Sequence, residues 1–304
     1  MSEFVLKNNS IAFKVSDHGA ELRSLCSEGS GKEYMWQADA KYWGRTAPVL
    51  FPIVGSVWNG EYKYKDVSYK LSQHGFARDM DFAPVKETED ELVFELTDNE
   101  ETMKKFPFKF SLQIGYKLVG SKVIVSYKVS NKSDEEMYFS IGAHPAFNCD
   151  LNKDELLFEK DGAPVAGTLK SNVIDMSCGC LSDSVIDVES NNGLVKLSPE
   201  LFNGDALIFE DRQADAVTLV YADGEDKLRV TCDVPLFGVW SPVKKNAPFV
   251  CIEPWNGRCD RVNFAGSLED REYGNKLGVG ESFDTSFEIE ILRMKLPGRP
   301  DYDN

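Results

Sequence analysis

The sequence predicts an all-β protein, a large antiparallel β-sandwich with few short helices. Long stretches alternate apolar and polar residues with a period of two, and short turn signals separate them. Helical periodicity is scarce. Hydrophobic residues make up 42% of the 304, enough for a substantial core, and charged residues 28%.

The clearest strand runs over residues 108–118, where Phe108, Phe110, Leu112, Ile114, Tyr116 and Leu118 share one face. After a Gly120-Ser121 turn, Val123, Val125, Tyr127 and Val129 continue the period, making a meander. Residues 216–221 and 228–232 flank 222–226, whose Asp223-Gly224 is a hairpin signal. Phe283, Phe287, Ile289 and Ile291 alternate with Asp284, Ser286, Glu288 and Glu290. Asn59-Gly60 reads as the turn of a further pair carrying Tyr62, Tyr64, Val67 and Tyr69. Two short helices are expected, over 98–105, closed by Phe106-Pro107, and over 269–276, ended by Leu277-Gly278. No repeat or compositional break marks a second domain, so residues 1–296 are expected to form one sandwich, with 297–304 a frayed tail.

The formal charge of −16 repels phosphates and anionic lipid, so neither a nucleic acid nor a membrane is an expected partner. No apolar segment follows Met1, and no apolar run is long enough to span a bilayer. Seven scattered cysteines suit reduced thiols and a cytoplasmic location. Cys178 and Cys180 lack zinc-site spacing, and no metal is expected.

Four stretches break the strand pattern and gather reactive residue types. In 138–148, His144 ends a strand between Gly142 and Pro145, which has no N–H to donate. A histidine held there, with an unperturbed pKa near 6.5, suits proton transfer, although capping a strand explains it equally well. In 249–257, Glu253 closes a short apolar strand; apolar surroundings raise a carboxyl pKa towards that of a general base. Trp255 follows, positioned to stack on a sugar face. In 42–55, Arg45 precedes an apolar, proline-bounded run; it suits bidentate donation to hydroxyls or phosphate, or a rim salt bridge. In 73–79, Gln73, His74, Arg78 and Asp79 gather donors and acceptors around Gly75, which favours a ligand role over a plain turn. Trp240 and Asp205 are weaker candidates of the same kind, and His18 reads as a hairpin residue. Without a phosphate loop, dinucleotide fingerprint, zinc motif or serine nucleophile motif, this inventory suits cofactor-free acid–base chemistry on a small polyhydroxylated molecule. Ring opening of a cyclic sugar needs one group to protonate the ring oxygen and another to take the anomeric hydroxyl proton.

Taken together, the Arg45 stretch with Phe51-Pro52-Ile53-Val54-Gly55, Gln73-His74-Gly75-Phe76-Ala77-Arg78, His144-Pro145-Ala146-Phe147 and Glu253-Pro254-Trp255 resemble the aldose 1-epimerase (galactose mutarotase-like) family, in its LacX-type branch. The resemblance covers nearly the whole chain. It implies a β-supersandwich that interconverts α and β anomers of a hexose or hexose phosphate, as a monomer or homodimer and without a cofactor. It makes His144 the acid on the ring oxygen and Glu253 the base on the C1 hydroxyl. Arg45, His74 and Asp205 would bind hydroxyls, with Asp211 a rival to Asp205; Arg45 and Arg78 leave a 6-phosphate open. A non-catalytic sugar-binding protein would not need His144 and Glu253 together, and a glycoside hydrolase would need two carboxylates and could dispense with His144.

Overall fold

The computed structural model describes residues 1–224 and 226–293. The expected tail at 297–304 lies outside these residues. Among the described residues, two large antiparallel sheets of ten and eight strands dominate, joined by a three-stranded sheet and two hairpin-sized ones. The meander is as read: Phe110–Val119 and Lys122–Asn131 pair residue for residue, from Lys122 opposite Val119 to Asn131 opposite Phe110. Ser282–Arg293 then adds to the far side of Lys122–Asn131, and Asp226–Cys232 to Ser282–Arg293.

The eight-stranded sheet carries Phe249–Asn256 near its middle, between Leu236–Trp240 and the short strands Ile141–Ala143 and Ala146–Asn148. The inner faces of the two sheets meet in one core that runs from Leu6 to Ile291. Aromatic contacts stitch it: Phe51 lies 5.1 Å from Phe110, and Phe158 lies 5.0 Å from Phe209. Each such fully buried ring contributes roughly 1.5–3 kcal/mol of transfer free energy.

Three local readings are corrected. The helix expected over 98–105 is a single turn, Glu100–Met103, because Asn99 caps it by accepting from the Glu101 and Thr102 N–H groups, and Lys104 already ends it. The helix expected over 269–276 is a 3-10 turn, Leu268–Asp270, boxed in by Ser267 and Asp270. Tyr273 then adopts φ +57°, and Asn275–Leu277 pairs as a strand with Met137–Phe139. Asn59-Gly60 does not join the tyrosine hairpin but precedes it. The turn is Lys65-Asp66, both at positive φ, between Glu61–Tyr64 and Val67–Lys70, as a two-residue primed turn requires. His18 does sit in the turn between Ile11–Ser16 and Glu21–Ser27, where its ring bonds Asp81 at 2.7 Å.

Candidate active site

Strand register brings the two proton-transfer candidates together. Gly142 lies opposite Trp255, and Ala146 lies opposite Cys251, so the midpoints of the two segments, His144 and Glu253, face each other. Their Nε2 and Oε2 atoms are 3.3 Å apart, at ion-pair distance but without hydrogen-bond alignment. Glu253 is 1% exposed and His144 7%. On the other side, Gly238 lies opposite Glu253 and contributes no side chain.

Burial lowers the His144 pKa to about 3; its own backbone opposes the shift, while the Arg78 and Arg45 charges add to it. Glu253 moves the other way. Burial lifts its carboxyl well above the usual range, the Trp255 N–H offsets this in part, and the Asp205 charge adds to it. Burial thus favours the neutral form of both groups, the imidazole without a second proton and the carboxyl with its proton. The acid limb of kcat/KM is expected near pH 3, where His144 would bring a second proton to the pair, rather than near the 6.5 of a free histidine. A pH profile corrected for buffer-catalysed exchange checks this; a limb at 6–7 would contradict it.

His74 is fixed by its backbone. Its N–H donates to the Gly55 carbonyl (2.9 Å), and its Nδ1 accepts from the Gly55 N–H at 3.1 Å. In the neutral ring the proton is therefore on Nε2, and burial, aided by the His144, Arg78 and Arg45 charges, keeps the ring neutral. The ring lies edge-on to His144, centroids 5.7 Å apart. Gly75 permits this loop: its φ is +70°, and a Cβ there would lie 2.2 Å from the Phe51 carbonyl oxygen. Gly75→Ala is expected to destabilise the protein by on the order of 3 kcal/mol, combining left-handed strain with a backbone clash. A thermal melt beside wild type measures it; an unchanged melt would show that the loop yields.

Arg45 reaches the same cleft and pairs with Asp79 at 2.7 Å. Arg78 donates to the Gln73 carbonyl at 2.8 Å, and its buried Nε has no hydrogen-bond partner. Gln73 thus contributes its backbone, while its side chain is exposed. Asp205 lies just before Leu207–Phe209, which pairs with Leu236–Trp240, and its charge reaches Glu253. Asp211 instead accepts from the Tyr273 hydroxyl at 2.7 Å. Trp255, 5% exposed, projects from the same face of its strand as Glu253, with its indole against Gly142 and Gly238, so its faces are covered by protein.

The aromatic surface of the cleft comes from residues that the sequence did not single out or ranked low. The Trp43 ring stacks on His144 at 4.8 Å, and Trp240 meets both edge-on at 5.5 Å. Trp43 is pinned by its carbonyl, which accepts from the Trp36 indole N–H at 2.9 Å. Its place two residues before Arg45 was the available signal. Below the cleft lies a charged network with no local signature. Buried Arg271 donates to Asp260 (2.6 Å), to the Ser140 hydroxyl (3.3 Å) and to the Arg258 carbonyl (2.8 Å). Asp260 also accepts from the Trp58 N–H at 2.9 Å. This ties residues 256–262 and 56–58 to the strand that leads to His144.

All seven cysteines are free. No described helix is long and apolar enough to cross a membrane.

Known proteins share this sequence and shape. The aldose 1-epimerase family profile matches residues 2–267. The LacX protein of Lactococcus lactis subsp. lactis is 30% identical over 297 residues, covering 94% of this chain and 98% of that protein. The structure of a galactose mutarotase related enzyme from Lactobacillus acidophilus superposes with a TM-score of 0.89 at 36% identity, covering 97% of this chain and all of that one. A galactose mutarotase-like protein from Lactobacillus casei gives 0.89 at 28% identity, over 95% of this chain and all of that one. With its β-sandwich and this match over most of its length, the chain belongs to the aldose 1-epimerase family and is an isomerase, a mutarotase.

Proposed function

We propose that His144 and Glu253 open and reclose the ring of an aldohexose, exchanging its anomers. The observation that carries this is their 3.3 Å contact in a buried cleft. Side by side, they suit the ring oxygen and the anomeric hydroxyl equally well, because both oxygens are bonded to the same carbon. In the forward step His144 protonates the ring oxygen while Glu253 takes the hydroxyl proton; the C1–ring oxygen bond breaks and C1 becomes a carbonyl. Rotation about C1–C2 and reversal give the other anomer. For His144 to be the acid, the proton resting on Glu253 must first pass to the imidazole. Both distributions have the same net charge, so sugar hydroxyls that bond the carboxylate can tip the balance.

Arg45, His74, Arg78 and Asp205 hold hydroxyls in this reading. Asp205 is favoured over Asp211 because its charge reaches Glu253. Gln73 and Trp255 support them, the first by anchoring Arg78 and the second by packing beside Glu253. A 6-phosphorylated hexose is the second reading, favoured by two guanidiniums in one cleft whose paired carboxylate, Asp79, is exposed. Arg45→Ala is expected to raise KM by about 10- to 100-fold with a smaller change in kcat, as for loss of a hydrogen bond to a charged group. Unchanged KM would remove Arg45 from the substrate site. The free thiols support a cytoplasmic location.

Polarimetry on fresh α-D-galactose and α-D-glucose, with NMR anomer exchange on glucose 6-phosphate, tests the function beside His144→Ala. Acceleration by wild type alone supports it, and the fastest sugar decides between the two readings. Equal rates with His144→Ala would overturn the assigned chemistry.

A further inference from the structure

The cleft holds a third reactive side chain that the isomerisation does not use. One ligand atom from each of His144, Cys251 and Glu253 lies within 4.8 Å of the other two, and all three residues are buried. Cys251 and Glu253 are two apart on the strand Phe249–Asn256, so they project from the same face. Pairing of Ala146 with Cys251 brings His144 beside them. The Glu253 Oε2 atom is buried without a hydrogen-bond partner.

Thiolate, imidazole and carboxylate together are a zinc-type donor set. Bonds of about 2.0–2.3 Å place tetrahedral ligands roughly 3.3–3.8 Å apart, a small adjustment from the present arrangement. A dication balanced by two anionic donors also leaves no net charge in a dry site.

We propose that His144, Cys251 and Glu253 form a site for a thiophilic divalent cation of the Zn²⁺ class, whose occupancy blocks turnover. This rests on the reading of His144 and Glu253 as the proton-transfer pair. On binding, Cys251 gives its thiol proton and Glu253 its carboxyl proton to water, and the sulfur, the carboxylate oxygen and the neutral imidazole nitrogen bond the cation. The His144 ring nitrogen and the Glu253 oxygen are then unavailable to sugar, so inhibition competes with substrate. The cation is an inhibitor and supplies nothing to the isomerisation.

The test pairs a Cd²⁺ titration, read by thiolate-to-metal charge-transfer absorption, with a Zn²⁺ titration of anomer exchange. Wild type, Cys251→Ala and His144→Ala are compared. One equivalent of Cd²⁺ is expected to give an absorption in wild type that Cys251→Ala lacks and that His144→Ala, with all its thiols intact, forms more weakly. Cys251→Ala keeps its turnover and needs about 100-fold more Zn²⁺ for inhibition, at the upper end of what supporting residues alone cost a metal site. The proposal is overturned if wild type resists Zn²⁺, if Cys251→Ala is inhibited at the wild-type concentration, or if neither substitution alters the Cd²⁺ absorption. Should no sugar be turned over, the Cd²⁺ comparison still decides the site, separately from the function.

Discussion

Glu253→Gln and His144→Ala each lower kcat by about 10²–10⁴-fold, the range for removing a general acid or base, while the protein stays folded. The amide is nearly isosteric with the carboxyl, so strand register and the Trp255 packing beside it persist. What disappears is an oxygen that can release and retake a proton. Folding should not suffer, because burial already disfavours the charged form of Glu253 and a neutral amide avoids that penalty. His144→Ala removes the ring under Trp43 but leaves the backbone bonds from Ala146 to Thr46 and from Ile252 to Pro145. Anomer exchange followed by polarimetry and a melting curve, both beside wild type, report the two quantities. If kcat barely changes in either variant while the melt is unaltered, that residue is not part of the proton-transfer pair.

Arg271→Met lowers stability by about 3–5 kcal/mol, because it strands the Asp260 carboxylate, itself 5% exposed, with the Trp58 N–H as its remaining side-chain bond. The Arg258 carbonyl loses its side-chain donor as well, and the Ser140 hydroxyl is left with the Val54 N–H. The melting temperature is expected to drop by on the order of 10 °C. Removing both charges together, as Arg271→Met with Asp260→Leu, should harm the protein less than the sum of the single changes, since no uncompensated charge stays buried. Additive losses would show that the ion pair is not what holds these loops.

Both effects bear on what a single chain of residues reveals. His144 was legible because Pro145 punctuates the strand end before it; Glu253 was legible from its apolar neighbours, although it does not close its strand, since Phe249–Asn256 runs on through Pro254 and Trp255. The sandwich was legible because period two survives in long strands such as Phe110–Val119. The Arg271 network was not: its bond to Ser140 spans 131 residues, and nothing near either partner announces the other. Trp43 was hidden for the same reason, since its stacking partner lies about a hundred residues on. Trp255 showed the converse, a residue adjacent in sequence to Glu253 whose faces are covered by Gly142 and Gly238 across the sheet. The 269–276 segment misled because a short polar stretch fits helix and strand alike, and the positive φ at Tyr273 decides it. Lys65-Asp66 makes a tight turn without the Asn-Gly signal that such turns usually show.

The meeting of His144 and Glu253 is set by ladder register, with Gly142 opposite Trp255 and Ala146 opposite Cys251. Side chains alternate faces along a strand, so a one-residue insertion or deletion between 251 and 255 would turn Glu253 to the far face of the sheet while leaving its sequence neighbourhood almost intact. Substitutions at the cleft can be tuned one at a time, but length changes there cannot. Divergence of this chain towards new sugars is therefore channelled into substitutions on the loops that carry Arg45, His74 and Asp205, which leave the register of the proposed proton-transfer pair in place.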